Sequence, residues 1–294
     1  MNGEDPDEVI RKIREVEIQG ATSVAREGIR LLRRMEETGR SRDEVEDVAE
    51  RLREARPTEP LLFNSLDMAL GRQESYDAIL GHIDESRDEI VSNANANANG
   101  RGILEDSEVV YTHCHSSTVT RVLKQTYRDT DFEVRATETR PLYQGRETAR
   151  ELSNSSIPTS LYVDSGARLA LEGVGEDPAD VMLIGADAVG SRGNVINKIG
   201  SRVFANVADS LDVPVYVLAD SWKYLPDVEE EVERRLERRD PDEVWEEAPD
   251  GVDVVNYAFE LVPNDVLEGI VTEIGVIEPG EFGERVESEY PELA

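Results

Sequence analysis

The sequence predicts an α/β protein. An N-terminal helical domain over residues 1–102 precedes a Rossmann-like domain over 103–294 whose sheet is doubly wound and mainly parallel. Three observations predict it. The first hundred residues carry apolar side chains at intervals of about 3.6, with charge on the remaining faces. After Glu105, short apolar runs without polar alternation are separated by helical stretches, the pattern of strands buried on both faces. Polar residues able to do chemistry gather where those runs end, and open α/β sheets bind ligands at the carboxyl ends of strands.

Val9, Ile13 and Val16, then Ala21, Val24, Ile29 and Leu32, mark the first two helices, and residues 43–53 repeat the pattern. Ala55-Arg56-Pro57-Thr58-Glu59-Pro60 breaks it, because proline lacks a donor and restricts the residue before it. Residues 61–71 and 75–92 make two more helices. Residues 93–99 alternate Asn with Ala, a frayed helix end or hinge that marks the domain boundary with Gly100 and Gly102. Strands are then expected at 108–112, 132–137, 160–163, 180–184, 213–218 and 269–272. Helices are expected at 117–128, 145–153, 166–172, 198–211 and 228–238. Gly173-Val174-Gly175 follows a helix rather than a strand, so no dinucleotide site is expected.

The 64 acidic against 32 basic residues give a formal charge of −32. Such a charge repels nucleic acid backbones and anionic membranes, so neither is an expected partner. Arg rather than Lys supplies the surface cations, and the whole composition fits a halophilic cytoplasm of molar salt, where screening shortens the Debye length to about 3 Å. No basic-then-apolar leader opens the sequence and no run of about 18 apolar residues occurs, so a soluble, cytoplasmic protein is expected.

Thr112-His113-Cys114-His115-Ser116-Ser117 holds the only cysteine and two of the three histidines, between a strand and a helix. One cysteine forms no intramolecular disulfide, so it serves packing or reactivity. Taken alone, such a residue is more often buried and inert. Four further clusters end strands: Thr139-Arg140-Pro141 with Gln144 and Gly145, Asp164-Ser165-Gly166, Gly185-Ala186-Asp187 with Asn194 to Gly200 opening the next helix, and Ser221-Trp222-Lys223-Tyr224. An Asp after a strand is usually a cap and an Arg usually a surface ion pair, but five clusters exceed what capping requires. Arg56, Arg140, Lys198 and Lys223 suit phosphate. Cys114 and Asp187 are the proton carriers of the set. This points to proton transfer beside a carbonyl rather than to hydrolysis, which needs a His oriented by a third group. His113 and His115 would lie on the opposite face of an extended segment from Cys114, which argues against a metal centre there; no metal is expected.

These motifs resemble a known family. The Thr112 to Ser116 run, Glu138-Thr139-Arg140-Pro141 with Gln144-Gly145, Val163-Asp164-Ser165, Gly185-Ala186-Asp187-Ala188 and Val195-Ile196-Asn197-Lys198-Ile199-Gly200 are similar to those of archaeal ribose-1,5-bisphosphate isomerases. So are Ala55-Arg56-Pro57-Thr58 and Val276-Ile277-Glu278-Pro279, so that the resemblance covers nearly the whole chain. That family belongs with the initiation factor 2B α/β/δ subunits and methylthioribose-1-phosphate isomerase. The resemblance implies an aldose–ketose isomerase converting ribose 1,5-bisphosphate to ribulose 1,5-bisphosphate in nucleotide (AMP) salvage, working without a cofactor as a homo-oligomer, dimer or hexamer. It implies that the sugar opens to an aldehyde, that Cys114 moves the proton between carbons 1 and 2, and that Asp187 assists opening and moves protons at the sugar oxygens. Gln19, Gly20, Ala21, Arg56, Ser116, Asn197, Lys198 and Lys223 match positions that hold the substrate and its phosphates. Gln19 departs from the family, which carries Arg before Gly-Ala; Gln donates a hydrogen bond but no charge. The other function the superfamily allows is a non-catalytic regulatory subunit that binds a sugar phosphate or nucleotide and a partner protein. Regulatory subunits generally lack the cysteine–aspartate pair, and its presence here favours the enzyme.

The charge has a consequence for stability. As potassium chloride falls to tens of millimolar the Debye length lengthens beyond about 10 Å and repulsion accumulates across the molecule. The oligomer, then the fold, should be lost as salt is removed. Thermal melts across a salt series measure this, and a melting temperature that stays flat from low to molar salt would rule out the halophilic reading.

Overall fold

The structure, a computed structural model, describes residues 5–18, 20–95, 102–105, 108–228, 230 and 238–293. Five helices come first: α1 (Pro6–Arg14), α2 (Ala21–Glu37), α3 (Arg42–Ala55), α4 (Pro60–Leu70) and α5 (Tyr76–Asn95). Their boundaries follow local chemistry. Asp5 caps α1 ahead of Pro6, and Ser41 and Glu44 form a reciprocal capping box on α3. The proline expected to break a helix also starts the next, because Pro60 occupies the first turn of α4, where a missing N–H costs nothing. The buried stripes of these helices, including Ile13, Val24, Leu32, Leu52, Leu62 and Ile79, share one core. Burying each such side chain contributes roughly 1.5–3 kcal/mol.

The sheet strands are β1 (Val109–Thr112), β2 (Glu133–Thr137), β3 (Thr159–Tyr162), β4 (Val181–Ile184), β7 (Val215–Leu218), β9 (Gly269–Thr272) and β10 (Gly275–Ile277). They are ordered β10-β9-β7-β4-β1-β2-β3. All pair in parallel except β10, which returns antiparallel beside β9. Helices α6 (Ser117–Thr126), α7 (Gln144–Asn154), α8 (Ala167–Glu172) and α9 (Ser201–Asp209) link the strands. The six strands expected from the sequence all form, within two residues at each end. The chain moves outward from β1 through β2 to β3, then returns to place β4 on the other side of β1. The crevice beyond β1 and β4 is therefore the topological switch point, the usual ligand site of such sheets.

One expectation fails. Asn194 to Gly200 does not open a helix: β6 (Val195–Lys198) lies between β5 (Ala188–Val189) and β8 (Phe259–Val262) in a separate antiparallel sheet, and α9 begins only at Ser201. The pairing partner β8 is some sixty residues away, and a contact at that separation leaves no local signal. The helix expected at 228–238 lies largely outside the described residues, as do 96–101 of the Asn-Ala stretch. Its residue Asn93 lies inside α5 and donates to the carbonyls of Thr272 and Glu273. Among the described residues no helix is long and apolar enough to cross a membrane.

Helix α5 ties the helical layer to the sheet. Its Ile90, Val91 and Ala94 share a core with Val110, Val119 and Val271. Further up the helix a buried polar network does the same. Asp220, after β7, accepts from His82 Nε2 (3.0 Å), Ser86 Oγ (2.6 Å) and the Trp222 N–H (2.9 Å). Glu273, after β9, accepts from the Ser221 N–H (3.0 Å) and the Ser221 hydroxyl. Trp222 stacks on the His82 ring at 3.7 Å.

This network makes stability depend on pH. Burial, with the neighbouring Asp220 charge, pushes the Glu273 carboxyl up to about 7. His82 is also raised, its burial outweighed by Asp220, whereas Asp220 is lowered, its burial outweighed by His82. A raised folded-state value means stability held at low pH and lost as pH rises through it, so Glu273 and His82 act in the same direction. Asp220 has the opposite sign and matters only in acid. Unfolding free energy should therefore fall as pH rises from about 4.5, the ordinary carboxyl value, to about 7, with His82 adding to the fall above its ordinary 6.5. Glu273→Gln should flatten that fall, measured by denaturant titration at fixed salt. An identical slope in variant and parent would show that Glu273 does not titrate in this range.

Candidate active site

A cleft of about 260 Å³ opens at the switch point. Its wall on the sheet side begins with Cys114, two residues beyond β1. The Cys114 backbone is left-handed (φ 67°), held by its N–H to Thr139 Oγ1 at 3.0 Å and by its carbonyl, which accepts from Thr148 Oγ1 at 2.8 Å. The segment is thus not extended, as the sequence reading assumed. Both flanking histidines are committed elsewhere. His113 Nε2 lies 2.9 Å from the Ile199 carbonyl, which only accepts, so Nε2 carries the hydrogen and Nδ1 accepts from Thr137 Oγ1 at 2.6 Å. Burial lowers His113 to about 4, so it is neutral and holds the Ile199–Gly200 turn. His115 Nδ1 lies 3.0 Å from Thr148 Oγ1.

Asp187 stands three residues beyond the end of β4, on the opposite side of the switch point. Its N–H bonds the Ile196 carbonyl, starting the small sheet, so Asp187 precedes a strand and caps no helix. The close approach of β1 and β4 has a steric condition. A Cβ on Gly185 would lie 2.7 Å from Ser116 Oγ, so glycine lets the two strand ends converge. Ser116 caps α6, accepting from the Val119 N–H. Gly200 is required on similar grounds: its φ is 102°, and a Cβ there would press on the His113 ring.

Most of the sequence-predicted site residues come together here. Cys114, Asp187, Gly20, Ala21, Arg56, Ser116, Asn197, Lys198 and Lys223 all line the cleft. Gln19 lies outside the described residues, although Gly20 and Ala21 beside it open α2 at the cleft. With Ser116 at the start of α6, two helix amino termini therefore border the cavity, each favourable to an anion. Lys198 sits 4.7 Å from the centre of the Phe259 ring, and buried Lys223 donates to the Ala186 carbonyl. Asn197 Nδ2 donates to Ser201 Oγ. Arg140, by contrast, turns away: it bonds the Tyr143 hydroxyl and the Val244 carbonyl. Asp164 also serves structure, accepting from the N–H groups of Thr139 and Arg140.

Glu59, Phe259 and Arg239 are among the cleft residues that the sequence did not reveal. Glu59 was passed over as part of a helix-breaking run, yet its carboxylate is 1 % exposed and accepts from Arg56 NH2 at 2.7 Å. Phe259 and Arg239 arrive from distant segments with no local motif. Near the mouth, His115, Glu147 and Glu151 bring possible metal-ligand atoms within 4.8 Å of one another, with Lys124 Nζ already 3.5 Å from Glu151.

The electrostatics separate the two proton carriers. Burial pushes Cys114 up to about 11 against the opposing pull of Lys198, so it rests as a thiol. Burial, then the Glu59 charge, pushes Asp187 up to about 6 while Lys223, Lys198 and Arg56 oppose. A thiol and a carboxylate in one cleft, beside cations and two helix amino termini, suit proton transfer on a phosphorylated substrate.

Known proteins agree with this geometry. Residues 17–279 match the model of the initiation factor 2 subunit family. A ribose 1,5-bisphosphate isomerase of Haloterrigena turkmenica is 34 % identical over 91 % of this chain and 88 % of its own length. One from Thermococcus kodakarensis is 31 % identical over 92 % and 90 %. Among solved structures, the Pyrococcus horikoshii translation initiation factor eIF-2B superposes with a TM-score of 0.76 at 25 % identity, covering 95 % of this chain and 98 % of that one. The 5-methylthioribose 1-phosphate isomerase of the same organism gives a TM-score of 0.73 at 23 % identity, over 98 % and 88 %, a likeness of fold. The chain belongs to the initiation factor 2 subunit family.

Proposed function

We propose that this protein is an aldose–ketose isomerase converting ribose 1,5-bisphosphate to ribulose 1,5-bisphosphate. The observation that carries the reading is the Cys114–Asp187 pair across the β1/β4 switch point, in a cleft with Lys198 and Lys223. Relatives named ribose 1,5-bisphosphate isomerase, 30–34 % identical over about nine-tenths of the chain, support it. The finer expectations of a homo-oligomer, dimer or hexamer, of a halophilic cytoplasm and of a place in nucleotide salvage belong to the same proposal.

The chemistry balances with these two groups alone. Carbon 1 of the substrate carries a phosphate ester, so breaking its bond to the ring oxygen leaves an oxocarbenium ion, not the aldehyde anticipated above. Protonated Asp187 gives its proton to the ring oxygen, which takes the electron pair of the broken bond. Cys114 as thiolate then removes the proton on carbon 2, forming an enol phosphate, and returns a proton to carbon 1. Asp187, now ionised, takes the proton from the oxygen on carbon 2 as the ketone forms, and both groups are restored. At neutral pH the pair rests as thiol and largely carboxylate, so moving one proton from Cys114 to Asp187 gives the reactive form. The two phosphates lie toward Lys198, Lys223 and the amino termini of α2 and α6.

Turnover of ribose 1,5-bisphosphate by the purified protein in molar potassium chloride tests the reading. A regulatory subunit would bind a sugar phosphate or nucleotide and convert nothing. Cys114→Ser should lower turnover at least about a hundredfold with substrate still bound, because a hydroxyl is a far weaker proton carrier. Near-normal turnover would remove Cys114 from the chemistry. Asp187→Asn should abolish turnover while preserving the fold, read by circular dichroism. Activity within a few-fold of the parent would mean that the carboxylate is dispensable.

A further inference from the structure

Glu59 has no assigned part in this reaction, yet it is the most unusual group in the cleft. A carboxylate almost never lies fully buried unless paired on both oxygens. Here Oε1 accepts from Arg56, whereas Oε2 is buried with no hydrogen-bond partner among the described residues. Glu59 stands on the cleft wall it shares with Asp187, its Oε1 fixed by Arg56. Two acids in one closed cavity cannot both ionise freely; the one without a clamp keeps its proton longer. Arg56 clamps Glu59, and among the described residues no guanidinium hydrogen bond reaches Asp187.

We propose that Glu59 is a positioning residue for the isomerisation, acting through Asp187 by favouring the form in which Asp187 holds the proton received from Cys114. The proposal rests on the isomerase reading and extends it. Every charged group around Asp187 has a defined sense. Arg56 and Glu59 come from the α3–α4 connection, Lys198 from β6, Lys223 from the turn after β7 and Cys114 from the turn after β1. The three cations draw the proton off Asp187, and Glu59 is the carboxylate that opposes them. Without Glu59, Asp187 would be a weaker proton acceptor toward Cys114 and a rarer acid toward the ring oxygen. The pairing also explains why a cavity for an anionic sugar keeps a buried carboxylate: it makes Arg56 less of a free cation and leaves Lys198 and Lys223 as the cations offered to a phosphate.

The test uses Glu59→Gln, which removes the charge at nearly constant volume, and Glu59→Asp, which keeps it. Parent activity should fall as pH drops below about 6, where the Cys114–Asp187 pair takes up a second proton. In Glu59→Gln that acid limb should move to lower pH by roughly one unit, and turnover above it should fall about tenfold, the factor that accompanies one unit. The Michaelis constant should not rise, and Glu59→Asp should return the limb toward the parent. Lower turnover with an unmoved limb would make Glu59 merely structural and overturn the proposal. A second readout needs no turnover: infrared titration of the protonated carboxyl band assigned by its loss in Asp187→Asn. If that band titrates at the same pH in Glu59→Gln and the parent, the proposal fails. Parent protein that shows the shift but converts no ribose 1,5-bisphosphate would instead sink the isomerase reading alone.

Discussion

Everything at the site depends on holding the helical layer over the carboxyl edge of the sheet, and Asp220 is the joint. Its two oxygens take hydrogen bonds from α5 and from the turn that follows β7. That turn carries Trp222 into the helical core and Lys223 into the cleft. A buried carboxylate is tolerable only when such partners replace its hydration. The network therefore does more than fasten two layers. By fixing both ends of a three-residue turn it fixes where one cation stands, and Asn64, donating to the carbonyls of Trp222 and Tyr224, secures the same turn from α4.

The cleft is built by burying charges close together and deciding which of them stays ionised. Glu59 is clamped by Arg56, and Lys223 is anchored to the carbonyl of the residue before Asp187. Lys198 rests beside an aromatic ring. Among the described residues no such clamp holds the Cys114 thiol or the Asp187 carboxylate, so their protonation is free to change during a reaction. His113, by contrast, spends both ring nitrogens on structure. The sequence position that looks most catalytic beside a cysteine is thus a brace for the turn at Gly200, and proton movement falls to the thiol and the carboxylate.

The parallel strands and most helices could be read from the sequence because their signals are local: apolar runs, helical periodicity, Ser and Asp caps, prolines at helix starts. Cys114 and Asp187 could be read because each follows a strand, and a strand end in an open parallel sheet is already half of a site. What could not be read depends on distant pairing. The small sheet of β5, β6 and β8 turns Val195 to Lys198 into a strand, where the local pattern suggested a helix start. Glu59 was hidden for a different reason. In a chain with 64 acidic residues, one more Glu carries no signal until its burial is known. Arg140 misled in the opposite sense, because an Arg at a strand end looks like a phosphate ligand until Tyr143 and Val244 are seen to hold it.

The chain's lysines carry the same logic one step further. Lys12, Lys124, Lys198 and Lys223 are the only four, and two of them line the cleft. Elsewhere arginine supplies the cations, as in the surface pairs Arg33–Glu37, Arg40–Glu44 and Arg42–Glu46, each spaced four residues apart. The distinction is physical. A guanidinium gains most from fixed, planar pairing, which suits a carboxylate-covered surface, whereas an ammonium is a compact charge on a flexible stem. Binding an anionic sugar calls for compact cations held at the cleft wall. Arginine clamps the buried carboxylate, as Arg56 does with Glu59, and lysine supplies the charge that faces the ligand.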